Sequence, residues 1–330
     1  MHIPPLQKQL LCLLADGKFH PGASLAQATG LLNRGAVWKH LQALSVYGLR
    51  IRAITGKGYR LHPPLQLLEL ERIQTLLGPP AKRDLRIEIF DALDSTNSQL
   101  MRQAEPDTPG GLTYLSEYQT AGRGRRGRQW TSPFGQNIYL SMLWRYPDGP
   151  AAIAGLSLAA GVAVTQALHD IGATEIDLKW PNDIQHRGKK LGGILVEVSG
   201  ETNGPCHAVA GVGLNLQLTA EQAAGIDQPW TDLSRILGAE AYLSRNRLAA
   251  ALLNRLHGAM SEFSAARLPE TLNAWRQYDC LLGLPVQLQI GEQRLQGIAA
   301  GIDDHGLLLL EQADGQRRAY ASGEVSVRAL

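Results

Sequence analysis

The sequence predicts an α+β protein of several units: an N-terminal winged helix-turn-helix, a central α/β body on a mixed sheet, and a small C-terminal β-barrel. Three observations carry that expectation. The chain has 330 residues, and at roughly 150 residues per domain that is two domains, or three if one is small. Residues 1–65 hold eight lysines and arginines against the single acid Asp16, giving +7 there and −5 over the rest of a chain whose net charge is +2. The hydrophobic period also changes along the chain, from helical, to mixed strands and helices, to alternation from Pro285 onward. With 44% hydrophobic and 19% charged residues, wholesale disorder is excluded.

In the first unit, Leu6, Leu10, Leu13 and Leu14 recur at helical spacing. A second short helix fits 21–28, with Pro21 near its first turn, and Thr29-Gly30 then punctuates the chain. A third helix begins from Asn33 as its N-cap, burying Val37, Leu41 and Leu44 while Arg34, Gly35, Trp38, Lys39 and Gln42 point outward. Residues 49–55 alternate as a strand, Gly56-Lys57-Gly58 turns, and 59–61 returns, so that Lys57 and Arg60 sit on a two-stranded wing. The outward basic face suits a polyanion. Asn33, Arg34, Trp38, Lys39, Gln42 and Lys57 are the candidate DNA-binding residues. A small helical docking domain with a solvated basic face is the alternative.

The leucine-rich stretch 65–77 lies between proline breaks and reads as a linker helix ending at Gly78-Pro79-Pro80. From Arg86 the texture becomes α/β, with strands at 112–118, 137–144, 175–180, 194–199 and 208–214. Helices at about 243–263 and 268–278 follow. Strands at 286–290, 294–303, 306–311, 317–321 and 325–328, separated by tight Gly and Asp turns, then read as the barrel. The expected boundaries are 1–65, a linker over 66–85, 86–282, and 283–330. The uncharged stretch 150–168 carries Ser157, Thr165 and Gln166, and is expected to be a buried helix rather than a membrane span. Cys12, Cys206 and Cys280 are odd in number and lack Cys-x-x-Cys spacing, which argues against a disulfide framework and a thiolate zinc site. Residues 10–15 are too short for a signal-peptide core, so a reducing, cytoplasmic location with no membrane partner is expected.

The chemistry starts at Gly122-Arg123-Gly124-Arg125-Arg126-Gly127-Arg128-Gln129-Trp130. This formally contains GxGxxG, but a dinucleotide fingerprint needs its last glycine to open a helix, and Thr131-Ser132-Pro133-Phe134-Gly135 breaks any helix. What remains is a loop of three glycines and four arginines, with backbone able to approach a ligand and cations suited to phosphate oxygens. A solvated basic loop is the bland reading. Lys179-Trp180-Pro181-Asn182-Asp183 ends a strand at the sheet's rim, or is only a turn. Lys190 precedes the pair Gly192-Gly193, which would let a ligand lie against the backbone; a plain edge lysine would be solvated. Asp94-Ser95-Thr96-Asn97 offers hydroxyls and an amide at a helix start, where a cap is the ordinary use. Gly211-Val212-Gly213-Leu214-Asn215 adds glycines and an amide after a buried strand.

These motifs, in this order, resemble the biotin protein ligases, in the bifunctional bacterial form that also represses a biotin operon. The matching stretches are residues 94–97, 117–130, 132–135, 179–183, 190–197 and 211–215, and the similarity covers nearly the whole chain. The resemblance implies a class II synthetase-like catalytic domain and an SH3-like barrel. It also implies a two-step reaction in which biotin and ATP, with Mg2+, form biotinyl-5′-AMP, and the biotinyl group passes to a lysine of the biotin carboxyl carrier protein of acetyl-CoA carboxylase. Carried over by position, Lys190, Arg123 and Arg125 are catalytic. Ser95, Thr96, Asn97, Gln119, Gly122 and Gly193 join them around biotin. Arg125, Arg126, Arg128, Trp130, Lys179, Asn182, Asp183, Asn215 and Trp230 fall on the ATP side, with Asp183 a candidate for magnesium. The partners implied are the carrier protein, operator DNA and a second copy of the chain when biotinyl-5′-AMP is bound. A metabolite-sensing transcription factor without ligase activity would not need Lys190 or the arginine loop. A lipoate or octanoate ligase would share the activation chemistry but lack that loop.

Overall fold

The computed structural model describes residues 2–202, 204–323 and 325–330. Its first unit is α1 (Pro5–Leu14), α2 (Gly22–Thr29), α3 (Arg34–Ala43), a 3-10 turn at Leu44–Tyr47, and the hairpin β1 (Ile51–Ile54) and β2 (Gly58–Leu61). Leu10, Leu11, Leu14, Val37, Leu41 and Leu44 form its core. Gly30 closes α2 in the left-handed region at φ 69°, and Asn33 caps α3 by accepting the Ala36 N–H at 3.0 Å. Gly58 is required at the wing's base, because a Cβ there would lie 2.0 Å from the His20 carbonyl oxygen. That close approach lets Tyr59 and His20 exchange backbone hydrogen bonds of 2.8 and 2.9 Å.

The linker departs from the expected single helix. Only α4 (Leu70–Thr75) is helical within 65–77, and Pro79 and Pro80 open a second helix, α5 (Pro79–Asp84), instead of breaking one. Proline is suited to a first helical turn, where its missing N–H has no partner to lose. Residues 66–69 are extended because their backbone groups are taken from outside: Leu68 donates to Glu117, Glu69 donates to Asn246, and the carbonyls of Gln66 and Leu67 accept from Arg245 and Asn246.

The body consists of β3 (Arg86–Phe90), α6 (Thr96–Gln103), β4 (Leu112–Ser116), β5 (Asn137–Tyr146), α7 (Leu156–Asp170), β6 (Ile176–Lys179), β7 (Asp183–His186), β8 (Lys189–Gly200), β9 (Cys206–Asn215), α8 (Leu233–Leu237), α9 (Arg245–Ser261) and α10 (Leu268–Arg276). Its strands form one seven-stranded sheet ordered β3-β4-β5-β9-β8-β7-β6. The sheet is mixed, with β3 and β4 parallel and all other neighbours antiparallel. Alternate residues of β5 and β9, including Ile138, Leu140, Ala210 and Val212, pack in the large core with α7 and α9. α7 belongs to the stretch 150–170, which is long and apolar enough to cross a membrane but lies mostly inside this core. On the opposite face α6 covers a smaller cluster of Leu100, Tyr114, Leu143 and Val209. The rest of that face is open and carries the cleft described below.

The C-terminal strands are β10 (Pro285–Ile290), β11 (Gln293–Ile302), β12 (Leu308–Glu311), β13 (Arg317–Tyr320) and β14 (Val325–Ala329), an antiparallel sheet ordered β13-β12-β11-β10-β14. Among the described residues β13 and β14 share no ladder, so the element is a five-stranded sheet whose ends are not joined. Val286, Leu288, Leu308 and Leu310 pack into the same core as α7 and α9. Trp180 fixes the junction by donating its indole N–H to the Gly306 carbonyl at 3.0 Å.

Candidate active site

A cleft of about 280 Å³ opens on the free face of the large sheet. Of the residues expected there, Ser95, Thr96, Asn97, Gln119, Arg123, Arg125, Arg128, Trp130, Asn182, Asp183, Lys190, Gly193, Asn215 and Trp230 line it. Gly122, Arg126 and Lys179 do not. Gly122 instead packs the loop base, since a Cβ would sit 2.5 Å from Ser132 Oγ and from the Trp130 carbonyl. Arg126 is exposed in the left-handed region at φ 58°. Lys179 lies on the hairpin beside the cleft, where burial and the nearby Lys190 and Arg328 lower its ammonium pKa and Asp183 opposes them.

One end of the cleft is built from neutral polar groups. Ser95 caps α6, accepting the Ser98 N–H at 3.4 Å, and so sets the first helical turn against the sheet. Thr96 donates its backbone N–H to Gln119 Oε1 at 2.9 Å, and Gln119 Nε2 donates to Ser132 Oγ at 3.1 Å. The Ser141 hydroxyl lies 2.7 Å from Thr96 Oγ and 2.6 Å from Asn97 Oδ1. The Asn97 amide is committed to the protein, donating to the Leu195 carbonyl and to Glu197 Oε2 at 3.1 and 2.9 Å. Gly211 leaves room for it, because a Cβ there would meet Asn97 Oδ1 at 1.9 Å.

The other end is cationic. The arginine loop folds back on itself, with Gly124 donating to the Arg128 carbonyl at 2.7 Å and Trp130 to Gly122 at 2.9 Å. Arg125 reaches across the cleft to Asn182 Oδ1 at 3.3 Å and also donates to the carbonyl of Ser322 in the C-terminal sheet's last turn. Burial lowers its pKa, and the neighbouring Arg128 and Arg126 add to the effect. Arg123 pairs with Glu197 at 2.9 Å and donates to Ser98 Oγ at 3.2 Å. Lys190 Nζ, largely buried, sits 2.6 Å from Asp183 and 5.7 Å from the Trp130 ring centroid. Its backbone is paired to the Trp230 segment, Lys190 N–H donating to Pro229 and Thr231 N–H to Lys190, both at 2.9 Å.

Several features differ from the sequence reading. The segment 179–183 does end a strand at the sheet's rim, since β6 is the edge strand and stops at Lys179, but 180–182 turn directly into β7, a short strand with no apolar alternation to reveal it. Gly211 and Gly213 lie inside β9 rather than after it; Gly213 makes room for the Trp130 indole, 2.6 Å from where its Cβ would be. Of the pair Gly192-Gly193, only Gly193 faces the cleft, while Gly192 is packed on Leu214. The segment 225–228, Tyr139 and Leu195 also line the cleft without having been expected, because nothing in their residue types distinguishes them from loop and core. In the N-terminal unit Arg34, Lys39, Gln42 and Lys57 are exposed. Trp38 is half-buried and stacked on Tyr59 at 5.6 Å, and Asn33 uses its side-chain oxygen as the cap.

Among the described residues no group of three or more His, Cys, Asp or Glu is placed to hold a metal ion. The cleft thus combines uncharged hydrogen-bonding groups, the Arg123–Glu197 ion pair beside Asn97 and Ser98, and the cations Arg125 and Lys190. That combination suits a ligand with an uncharged polar head and anionic groups at the opposite end.

Comparison with known proteins identifies the family. Residues 89–215 match the biotin/lipoate A/B protein ligase family, 281–328 the biotin protein ligase C-terminal domain, and 6–60 an HTH domain. The bifunctional ligase/repressor BirA of Salmonella typhimurium is 41% identical over 97% of this chain and 96% of its own length. The protein of the same name from Escherichia coli is 40% identical over 97% and 96%. Among solved structures, the biotin protein ligase of Aquifex aeolicus in complex with biotin and ATP covers 74% of this chain and 99% of its own, with a TM-score of 0.62 and 27% identity. With identity at this level running from the basic N-terminal unit through the cleft to the last strands, the chain belongs to the family of bifunctional biotin protein ligase/repressors.

Proposed function

We infer that the chain is an ATP-dependent biotin protein ligase that also represses transcription, with biotinyl-5′-AMP as the species common to both roles. The observation that carries this reading is the convergence of Lys190, Arg125, Thr96 and Gln119 on one cleft in a chain that also bears a basic helix-turn-helix. In the first step a biotin carboxylate oxygen attacks the α-phosphorus of ATP, and the bond to pyrophosphate breaks. Two anions must meet, so fixed cations are the main requirement. Lys190, held by Asp183, and the guanidiniums of Arg123 and Arg125 stabilise the charge that builds on the phosphorane. In the second step a neutral lysine amine of the carrier protein attacks the carbonyl of the mixed anhydride, and AMP leaves. No protein nucleophile is needed.

Ser95, Thr96, Asn97 and Gln119 with the Gly193 backbone hold the ring and ureido head of biotin at the neutral end, Gly122 shaping the loop beside them. Asn97 acts chiefly by ordering β8, since its amide is already satisfied. Asn215 reads adenine and Trp230 packs on the base, while Arg126, Arg128, Lys179, Asn182 and Trp130 serve the ribose and phosphates. Asp183, a carboxylate lining the cleft, would hold Mg2+, which would supply charge neutralisation on the phosphates. A donor set of one or two carboxylates is usual for magnesium that binds mainly through its nucleotide. Residues 1–65 form the DNA-binding unit, 66–85 the linker, 86–282 a class II synthetase-like catalytic domain and 283–330 an SH3-like barrel left open between β13 and β14. The partners are the biotin carboxyl carrier protein, an operator and a second copy of the chain, all in the cytoplasm.

The test is ATP-pyrophosphate exchange with biotin and, separately, lipoate, followed by transfer of labelled biotin to a carrier domain. Exchange with biotin alone and covalent label on the carrier are expected. Exchange driven by lipoate, or none with either acid, overturns the reading.

A further inference from the structure

Arg245 is fully buried, with a side chain 0% exposed, at the first residue of α9 and away from the cleft. Its guanidinium lines no part of the cleft, yet it gathers three separate parts of the chain. Nη1 pairs with the Glu117 carboxylate and donates to the Gln66 carbonyl at 2.9 Å, and Nε donates to the Asn137 carbonyl at 3.0 Å. Glu117 and Asn137 are the two ends of one excursion. Glu117 follows the last residue of β4, Asn137 begins β5, and the stretch between them supplies the cleft-lining residues Gln119, Arg123, Arg125, Arg128 and Trp130. Glu117 also accepts the Leu68 N–H at 2.6 Å, so the linker is tied to the same anchor.

We propose that Arg245, through Glu117, is a positioning residue that sets both ends of the 117–137 segment and ties them to the interdomain linker. The physical argument is geometric. A loop whose two ends share one rigid, multiply hydrogen-bonded ion has fewer orientations than a loop whose ends are held independently. A planar guanidinium can satisfy a carboxylate and two carbonyls at once, which an ammonium cannot do in the same directions. Inside the protein such a pair is strongly felt when one partner is lost. Asn137 carries the constraint onward, accepting the Leu216 N–H at 3.1 Å and lying opposite Asn215 in the ladder. The same ion therefore bears on both ends of the cleft without touching either.

The proposal rests on the ligase reading only for its kinetic arm. Arg245→Lys and Glu117→Gln retain size and one hydrogen bond each, and Asn254→Ala serves as control. Asn254 lies on the same helix and staples the linker at Leu76 and Gly78, but does not reach the loop. In the full chain without ligand, amide exchange over 120–131 should rise about ten-fold in both test variants, with α7 unchanged. Under turnover, KM for biotin should rise about ten-fold, by more than kcat falls, and albumin added as a bystander should become biotinylated. Asn254→Ala, even at the same loss of melting temperature, should leave all three readouts at the wild-type level. Unchanged exchange over 120–131 in both test variants, or an equal rise in the control, overturns the proposal. A wild-type protein without biotin-dependent pyrophosphate exchange would sink the ligase reading and leave the amide-exchange result to decide this one.

Discussion

Lys190 has a partner, Asp183 at 2.6 Å, and that partner fixes where its charge waits. Replacing it with methionine keeps most of the side-chain volume and removes the charge. Lys190→Met should lower adenylate formation by about two orders of magnitude, comparable to the loss of one transition-state donor. Pyrophosphate exchange measures it, and near-normal exchange would show that the charge comes from elsewhere. At this scale the sequence was readable where a residue's chemistry is rare in its context: a lysine before a glycine pair, or four arginines among glycines. It was opaque where the role depends on a neighbour from another strand. Gly192 and Gly193 look alike in the chain, and only the position of Leu214 decides that one packs the core and the other faces the cleft.

The arginine loop behaves as an element, because its hydrogen bonds close it at Gly122–Trp130 and Arg125 carries it to the opposite wall. Arg125→Ala removes the contacts to Asn182 and to the C-terminal Ser322 together, leaving the far side of the loop untethered. The intermediate is a hydrolysable anhydride that a closed loop shields from water. The variant should therefore form biotinyl-5′-AMP more slowly yet lose retention more than formation, so that bystander proteins are labelled at least about ten-fold above wild type. Label on albumin that stays at the wild-type level while the carrier is modified normally would refute this. Most elements were legible from periodicity, including all five C-terminal strands, since alternation bounded by Gly and Asp turns leaves little choice. The linker was not. Its leucines read as a helix, but Glu117, Arg245 and Asn246 offer the backbone of 66–69 better partners than an internal helix would, and none of these is near in sequence.

At the scale of the molecule, the two halves of the chain are docked and not merely tethered. Asp91, buried at the end of β3, accepts from the Ile3 N–H at 2.9 Å and from Lys8 at 2.7 Å. Tyr47 of the first unit packs on Tyr118 and Phe134, which flank the stretch holding Gln119. Such docking could not be read from composition, which showed only that a basic segment adjoins an acidic body. A single basic unit with a few exposed readers should bind DNA weakly and with steep salt dependence, so useful specificity needs two copies on an inverted repeat. The sheet offers a place for the second copy. β7 pairs with β8 only as far as Gly193, so beyond Ile194 no strand follows β8 on that side among the described residues, and Val198 stands 40% exposed there. An unpaired edge of this kind is a template for another strand. The same stretch carries Leu195 and Glu197, which Asn97 and Arg123 hold from the cleft side. A ligand filling the cleft would act on the edge through these contacts. With biotin and ATP the protein should sediment as a larger species and bind its operator about ten-fold or more tightly than the free protein. Val198→Lys, which puts a charge on the edge without entering the cleft, should keep pyrophosphate exchange while losing both the larger species and the tighter operator binding. Assembly by this variant at the wild-type level would move the interface elsewhere, and identical assembly of the wild type with and without the adenylate would reject the corepressor mechanism while leaving the ligase chemistry in place.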